Sequence, residues 1–588
     1  MFSHATHTSH PHHLRDHSAD LRMIGLAAAA VVIGTGGAFG AWLLTRLIAL
    51  ATNLFWLRAM SFTPAEIGTR QLAWELLVIP VTGALVIGLM ARFGSDKIKG
   101  HGIPEAIEAI LYGESRLSLK VAILKPISSA ISIGSGGPFG AEGPIIMTGG
   151  AIGSLLAQCA HLSAAERKTL LVAGAAAGMT GIFGTPLAAV LLAVEVLLFE
   201  WKPRSFVPVV LASLVSLAWR PHLLGPGPMF TASFAIPSYT EGTAIFALAL
   251  GIAVGLEATA LSALLYRVED LFHRLPVHWM WWPALGAVVV GLGGLADGRV
   301  LGAGYSNIQA LLDGAWPVRV VLTLLVLKAT VWLVALGSGT SGGVLAPLLI
   351  LGGALGFLAA PLLPGPTGFW ALLGMAGIMS GAMRAPLTGA VFAVELTGRF
   401  DALPATVTAA AGAFAVSVLL MRRSILTEKI ARRGRHIVQE YSLDLFAFLQ
   451  AEQIMSRGPE TLAGRMTICE ALVFFSGPAQ HRSYPVVDAG GRLLGLVSRS
   501  DALRWQVEDK DPLVTLEEAL SDASTPFAWP HTPIGAVADL MVDSGTGRIP
   551  IVARETHCVV GILSRHDLLK ARAEANRTEL QRSGLIRH

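Results

Sequence analysis

The sequence predicts an all-α, multi-pass membrane domain built from two related halves, followed by a smaller α/β module that is itself duplicated. Three observations carry this expectation. Only 14% of the 588 residues are charged while 53% are apolar, and the mean hydropathy is +0.60; soluble domains average about 25% charged residues. The segment GSGGPFGAEGP at 134–144 returns as GSGTSGGVLAP at 337–347, and Lys125 and Lys328 each stand nine residues before their GSG. Beyond about residue 436 the composition becomes that of an ordinary globular domain.

Taken in order, residues 1–22 hold six of the 17 histidines and no apolar run. They read as a disordered tail, because no fixed ligand spacing marks a metal site. Uncharged apolar runs follow at 23–45, 76–91, 143–165, 205–218, 329–358 and 405–421. Several reach the roughly 20 residues that cross a bilayer core. The first is too long, and lacks the cleavage site, for a secretory signal. Runs at 119–133 and 187–194 are shorter and read as part-way helices inside a bundle. The 64 glycines fit close packing in lipid, where small residues let helix backbones approach. The membrane domain is thus placed at 23–421, with halves at about 23–218 and 243–421. A basic linker at 422–442 carries Arg422, Arg423, Lys429, Arg432, Arg433 and Arg435. Next to a span, this cluster marks the cytoplasmic side rather than a nucleic-acid face.

The soluble module at 443–575 repeats at about 443–508 and 517–575, with a tail at 576–588. SYPVVDAGGRLLGLVSRSDALRW (483–505) returns as RIPIVARETHCVVGILSRHDLLKA (548–571), so that Gly495, Ser498 and Asp501 recur as Gly561, Ser564 and Asp567. In each copy two β-rich runs precede a helix opened by an acidic residue, which suits the N-terminal dipole. Cys159, Cys469 and Cys558 form no CxxC, which argues against a disulfide framework or a zinc site.

The broken motifs carry the chemistry. Backbone leaves the helix at membrane depth only where protein or a water-lined cavity satisfies it, and such breaks at matching places in two halves point to a transport site. GHGIPE (100–105), GAEGP (140–144) and GGVLAP (342–347) each place glycine before a proline-opened helix. Their free N–H groups and positive ends suit an anion. No acidic cluster accompanies them, as a cation path would require. Glu142 reads either as a simple helix cap or as a functional group. A charge at membrane depth costs on the order of 3 kcal/mol, which favours function. Glu195 and Glu395 stand at equivalent places and read as scaffold bonding helix ends. Lys328 reads as structural, and Lys125 as structural or pore-adjacent. A membrane hydrolase using Ser135 or Ser338 lacks an accompanying His or Asp.

Together GHGIPE, Lys125, GAEGP, GIFGTPLA with Glu195, and GGVLAP are similar to the CLC family of chloride channels and proton-coupled chloride exchangers. The duplicated module resembles a tandem pair of cystathionine-β-synthase (CBS) domains. The resemblance implies an all-helical homodimer in the lipid bilayer, each subunit carrying chloride or a similar small anion through its own pore. It implies Glu142 as the gate, with His101, Gly102, Ile103, Gly143, Val344, Leu345 and the Leu426 position around the anion and Lys125 beside the pore. A CBS module on the cytoplasmic side of a bacterial inner membrane is also implied, with no enzyme activity and no cofactor. His101 stands where chloride-selective members carry serine and nitrate-preferring ones proline. Ala141 replaces the usual basic neighbour of the glutamate, and Leu426 the expected tyrosine. Val196 replaces the proton-handling glutamate of exchangers, with Glu200, one turn on, as a substitute relay. The expected activity is channel-like uncoupled conduction, with a proton-coupled antiporter as alternative and a CBS-regulated divalent-cation transporter as a different class. Ser498, Asp501, Ser564 and Asp567 are open to two roles, binding an adenine nucleotide or capping helices.

Overall fold

The structure is a computed structural model that describes residues 22–65, 67, 73–435, 449–521 and 525–584. The histidine-rich segment 1–21 lies outside the described residues. The chain divides into a helical unit that runs to Glu440 and a second unit from Tyr441.

Among the described residues, eight helical segments of the first unit are long and apolar enough to cross a membrane. They are Arg22–Leu57, Ala73–Gly94, Pro203–Leu223, Glu241–His273, Trp279–Ala296, Val318–Gly337, Leu345–Leu362 and Phe400–Leu420. The two short runs are indeed short helices, Leu119–Gly134 and Pro186–Leu192, the latter continued by a π-helical turn to Leu198. Glycine sets the packing in both halves. A Cβ at Gly174 would strike the Gly149 carbonyl, and one at Gly374 would strike that of Gly352. Helices Glu142–Cys159 and Ala164–Phe183 therefore touch backbone to backbone, and Leu345–Ala359 and Thr367–Met383 repeat the contact.

The broken segments of the two halves pair at the centre of this unit. Gly343 N–H donates to the Gly140 carbonyl at 2.9 Å, Gly100 N–H to Thr340 at 3.1 Å and Gly302 N–H to Gly136 at 3.0 Å. Backbone that has left the helix is thus satisfied by the opposite repeat. Two lysines complete the job. Lys125 Nζ donates to the carbonyls of Ile98 and Gly100 at 2.8 and 2.7 Å, and Lys328 Nζ to those of Val300 and Gly302 at 2.8 and 2.9 Å. Glu195 and Glu395 are exchanged between halves. Glu395 accepts from Leu187 N–H (3.0 Å) and Ala188 N–H (2.8 Å), while Glu195 accepts from Leu387 N–H (3.2 Å) and Thr388 N–H (2.8 Å). Each carboxylate caps the helix that opens with Pro186 or Pro386 in the other repeat.

The segment expected as a linker is instead docked. Residues Thr427–Arg432 form a helix within the first unit. Lys429 and Arg433 reach the buried Glu105 at 3.0 and 3.2 Å, and Arg435 reaches Glu108 at 2.6 Å. Lys429, Arg433 and Arg435 therefore face acids on the Ile103–Tyr112 helix rather than solvent alone.

Among its described residues the second unit holds two three-stranded sheets. Leu462–Ala463, Ser483–Val487 and Leu493–Ser498 form one; Ser456–Arg457, Val559–Ser564 and Arg548–Val552 form the other. The long strands pair as antiparallel hairpins in the same register, Val486 opposite Gly495 and Ile551 opposite Gly561. Repeat boundaries are crossed at the start. Ser456–Arg457 pairs antiparallel with the second copy's Val559–Ser564, so the first residues of the expected 443–508 copy belong to the other sheet.

Candidate anion site where three helix ends meet

Three helices begin at one place, and none is capped by a side chain. Gly102 precedes Ile103–Tyr112, Ala141 precedes Glu142–Cys159 and Val344 precedes Leu345–Ala359. Ser118, Ser163 and Thr240 do cap their helices, accepting N–H bonds from Val121, Glu166 and Thr243, but Val318–Gly337 and Thr367–Met383 also start without a side-chain cap, so what sets the three ends apart is that they meet. The three bare ends are buried and converge. Gly102, at φ +87°, would put a Cβ 3.1 Å from the Gly143 carbonyl, and a Cβ on Gly143 would run into the His101 carbonyl. That same Cβ would lie 3.5 Å from Gly343 Cα. Only glycine allows this approach. The product is a small volume bounded by first-turn amides and three positive helix ends, where negative charge is favoured.

The carboxylate of Glu142 occupies it. The side chain is buried and folds back between Gly140 and Gly343. The backbone N–H of Ala346, on the opposite half, is one of its hydrogen-bonding partners. The hydroxyl of Tyr305 donates to Glu142 Oε1 at 3.4 Å and accepts from Ala141 N–H at 3.3 Å. Glu142 Oε2 has no side-chain hydrogen-bond donor among the described residues.

The remaining expected residues divide. His101, Gly102, Ile103, Gly143, Val344 and Leu345 all lie at the convergence. The His101 ring is buried, and its Nδ1 has no hydrogen-bond partner among the described residues. Lys125 stands behind it, held by three acceptors including Ser341 Oγ at 3.1 Å, and its Cε would lie 3.3 Å from a Cβ on Gly102. Leu426 is buried as the residue before Thr427–Arg432 and brings no hydroxyl. The nearby tyrosine, Tyr266, spends its hydroxyl on the Ile425 carbonyl at 2.6 Å. Val196 is buried among apolar neighbours in the π-helical turn.

Glu200 does not lie one helical turn beyond it. Phe199 takes a left-handed conformation (φ 55°) and ends the helix, so Glu200 turns outward. It meets Lys168 at 3.7 Å, Lys202 at 3.3 Å and Ser205 Oγ at 3.0 Å. Burial pushes its carboxyl up, but Lys168, Ser205 and Lys202 outweigh that and hold it below the usual carboxylate range.

Sequence reasoning missed two participants. Ala346 carries no side-chain signal because it acts through its backbone. Tyr305 was hidden by the repeat itself, whose matching position in the first half is Ile103.

In the second unit Ser498, Asp501, Ser564 and Asp567 are helix caps. Asp501 Oδ2 accepts from Ser498 N–H at 2.9 Å and Oγ at 2.5 Å, and Asp567 repeats this with Ser564 at 2.8 and 2.6 Å. Both caps use Oδ2 only; Asp501 Oδ1 accepts from Arg504 at 2.9 Å.

Comparison with known proteins agrees with this architecture. A family model described as voltage gated chloride channel matches residues 82–418, and a CBS domain model matches 451–508 and 519–574. The chain is 29% identical over 338 residues to a ClcB-like chloride channel protein of Ralstonia nicotianae, covering 55% of this chain and 78% of that protein. It is 28% identical over 384 residues to the H(+)/Cl(-) exchange transporter ClcA of Salmonella arizonae, covering 61% and 79%. Among solved structures, a slow cyanobacterial Cl-/H+ antiporter superposes with a TM-score of 0.62 at 21% identity, over 71% of this chain and 99% of that one. A eukaryotic CLC transporter gives 0.58 at 19% identity, over 93% and 98%. The matched segment takes in both halves and all three helix ends: this chain is a multi-pass integral membrane protein of the CLC family, with a tandem pair of CBS domains at its C-terminal end.

Proposed function

We propose that the chain moves chloride or a similar small anion across the membrane, as a homodimer with one pathway per subunit, and that Glu142 is its gate. One observation carries the reading. A buried carboxylate sits where three uncapped helix ends meet, the place an anion would take. Glu142 competes with the anion for the same amides, and it leaves when protonated or displaced.

The observations at Val196 and Glu200 support uncoupled conduction. Valine carries no proton, and Glu200 is held ionised by two lysines beyond the helix end. Because its carboxyl lies below the usual range, Glu200 stays charged at neutral pH and binds a proton only as pH falls below ordinary carboxylate values. Glu200→Gln therefore leaves the pH dependence of flux between about pH 5 and 8 unchanged. In proteoliposomes a chloride gradient is expected to move chloride with no uphill proton movement. Robust proton pumping would overturn this and favour the second reading, proton-coupled exchange, which the similarity to named exchange transporters supports.

His101 tunes selectivity in this reading, since it directly precedes Gly102 at one of the three helix ends and its buried imidazole Nδ1 is unpartnered among the described residues. His101→Ser raises chloride preference over nitrate and His101→Pro lowers it. Unchanged relative flux in both variants would remove the imidazole from the pathway.

The CBS pair is read as a cytoplasmic regulatory module. An adenine nucleotide there would have to displace the Ser–Asp caps or bind beside them, so the affinity expected is weak. Calorimetry on the full-length protein with ATP, ADP and AMP is expected to show binding in the high-micromolar to millimolar range. No heat at millimolar nucleotide would reduce the pair to an assembly element.

A further inference from the structure

A second cavity, of about 280 Å³, opens on the membrane unit and shares no residue with the Glu142 site. One wall is a single face of the Glu241–His273 helix, running through Thr259, Ser262, Ala263 and Arg267; Leu420, Arg422 and Arg423 close the other side. The face from Thr259 to Asp270 extends about 16 Å at a rise of about 1.5 Å per residue. It therefore runs from the apolar body of a spanning helix to its charged end. Next to it Leu256, Leu264, Leu419 and Leu420 are exposed.

Four arginines and two acids line the cavity, and the acids are spoken for. Arg432 is paired with Asp270 and, at 3.3 Å, with Glu428, and its guanidinium lies 4.8 Å over the Tyr266 ring. Arg423 reaches Glu428 at 3.5 Å. Among the described residues this leaves Arg267 and Arg422 with no ion-pair partner, both exposed at the rim. A phosphate is what two free guanidinium forks hold best, because each can bond it through two N–H groups. The leucines beside them require a ligand that is also apolar. Basic pockets between spanning helices at the charged membrane boundary have this pairing for acidic headgroups.

We propose that this cavity binds an anionic phospholipid, with Arg267 and Arg422 on the phosphate and the acyl chains along Leu256, Leu264 and Leu420. A zwitterionic lipid offers the same phosphate but adds an ammonium group to a wall already carrying net positive charge.

Full-length protein in nanodiscs of mixed phosphatidylcholine and phosphatidylglycerol tests this. A photoactivatable phosphatidylglycerol is expected to label the peptides spanning 256–270 and 417–423 of the unaltered protein. Labelling confined to other segments would overturn the proposal. The protein is also expected to retain phosphatidylglycerol several-fold over its share of the bilayer. Arg267→Gln with Arg422→Gln brings that ratio to the bulk value, and the Lys pair of variants recovers part of it. Full enrichment in the Gln variant overturns the assignment. Displacement of the probe by millimolar inorganic phosphate would overturn it too, assigning the arginines to a soluble anion rather than a lipid.

Discussion

Glu142→Gln is expected to raise chloride flux at neutral pH and to flatten its dependence on pH. Glutamine keeps the shape but not the charge that three helix ends attract, so it no longer competes with the anion. If the carboxylate favours its seat over the open position by about 1.4 kcal/mol, the variant conducts about tenfold faster at neutral pH. Acidification then adds nothing, because the group whose protonation opens the path is gone. Tyr305→Phe removes the hydroxyl that holds the carboxylate at 3.4 Å. It is expected to loosen the wild-type gate by about 1 kcal/mol and to have no effect in the Glu142→Gln background. Wild-type pH dependence in Glu142→Gln would show that the gate lies elsewhere. A Tyr305→Phe effect that persists without the carboxylate would show that the hydroxyl acts through its bond from Ala141 N–H or through packing rather than on the gate.

The second large effect concerns stability. Glu395→Ala removes the acceptor of two first-turn N–H groups, those of Leu187 and Ala188, in the opposite half. Leaving the buried Ala188 N–H unsatisfied costs about 1–3 kcal/mol and the part-buried Leu187 N–H adds less, so the loss is on the order of 2–4 kcal/mol. Glu395→Gln keeps one acceptor oxygen and is expected to fall between. Glu195 is less buried than Glu395 but also accepts from Thr388 Oγ1 at 2.6 Å, so Glu195→Ala is expected to cost a similar amount. Thermal unfolding in detergent, followed by tryptophan fluorescence, checks the order wild type, Glu395→Gln, Glu395→Ala. Equal midpoints would mean that the crossed caps do not hold the halves together.

Much of this design was legible in the chain. The GSG repeat located the two halves, and the uncapped glycine–proline starts located the helix ends, because both are features of residue type and spacing. The exchange of Glu195 and Glu395 was legible as duplication, although not as a crossing. The sequence was silent where backbone rather than side chain does the work, as at Ala346. It misled at Glu200, where a left-handed Phe199 ends a helix that spacing alone would continue. It misled again at 422–435, whose positive charge reads as a linker until Glu105 and Glu108 are seen facing it. Strand exchange at Ser456–Arg457 had no local signal, since two residues carry no periodicity.

Bromide anomalous diffraction, comparing the unaltered protein with Glu142→Gln, tests the central claim most directly, because bromide reports where an anion sits. The account predicts a bromide peak in the variant between Gly102, Gly143 and Ala346, at the position the carboxylate holds in the unaltered protein, and no peak there while Glu142 is ionised. A bromide peak of equal strength in both proteins, or none at the helix ends in the variant, would contradict it.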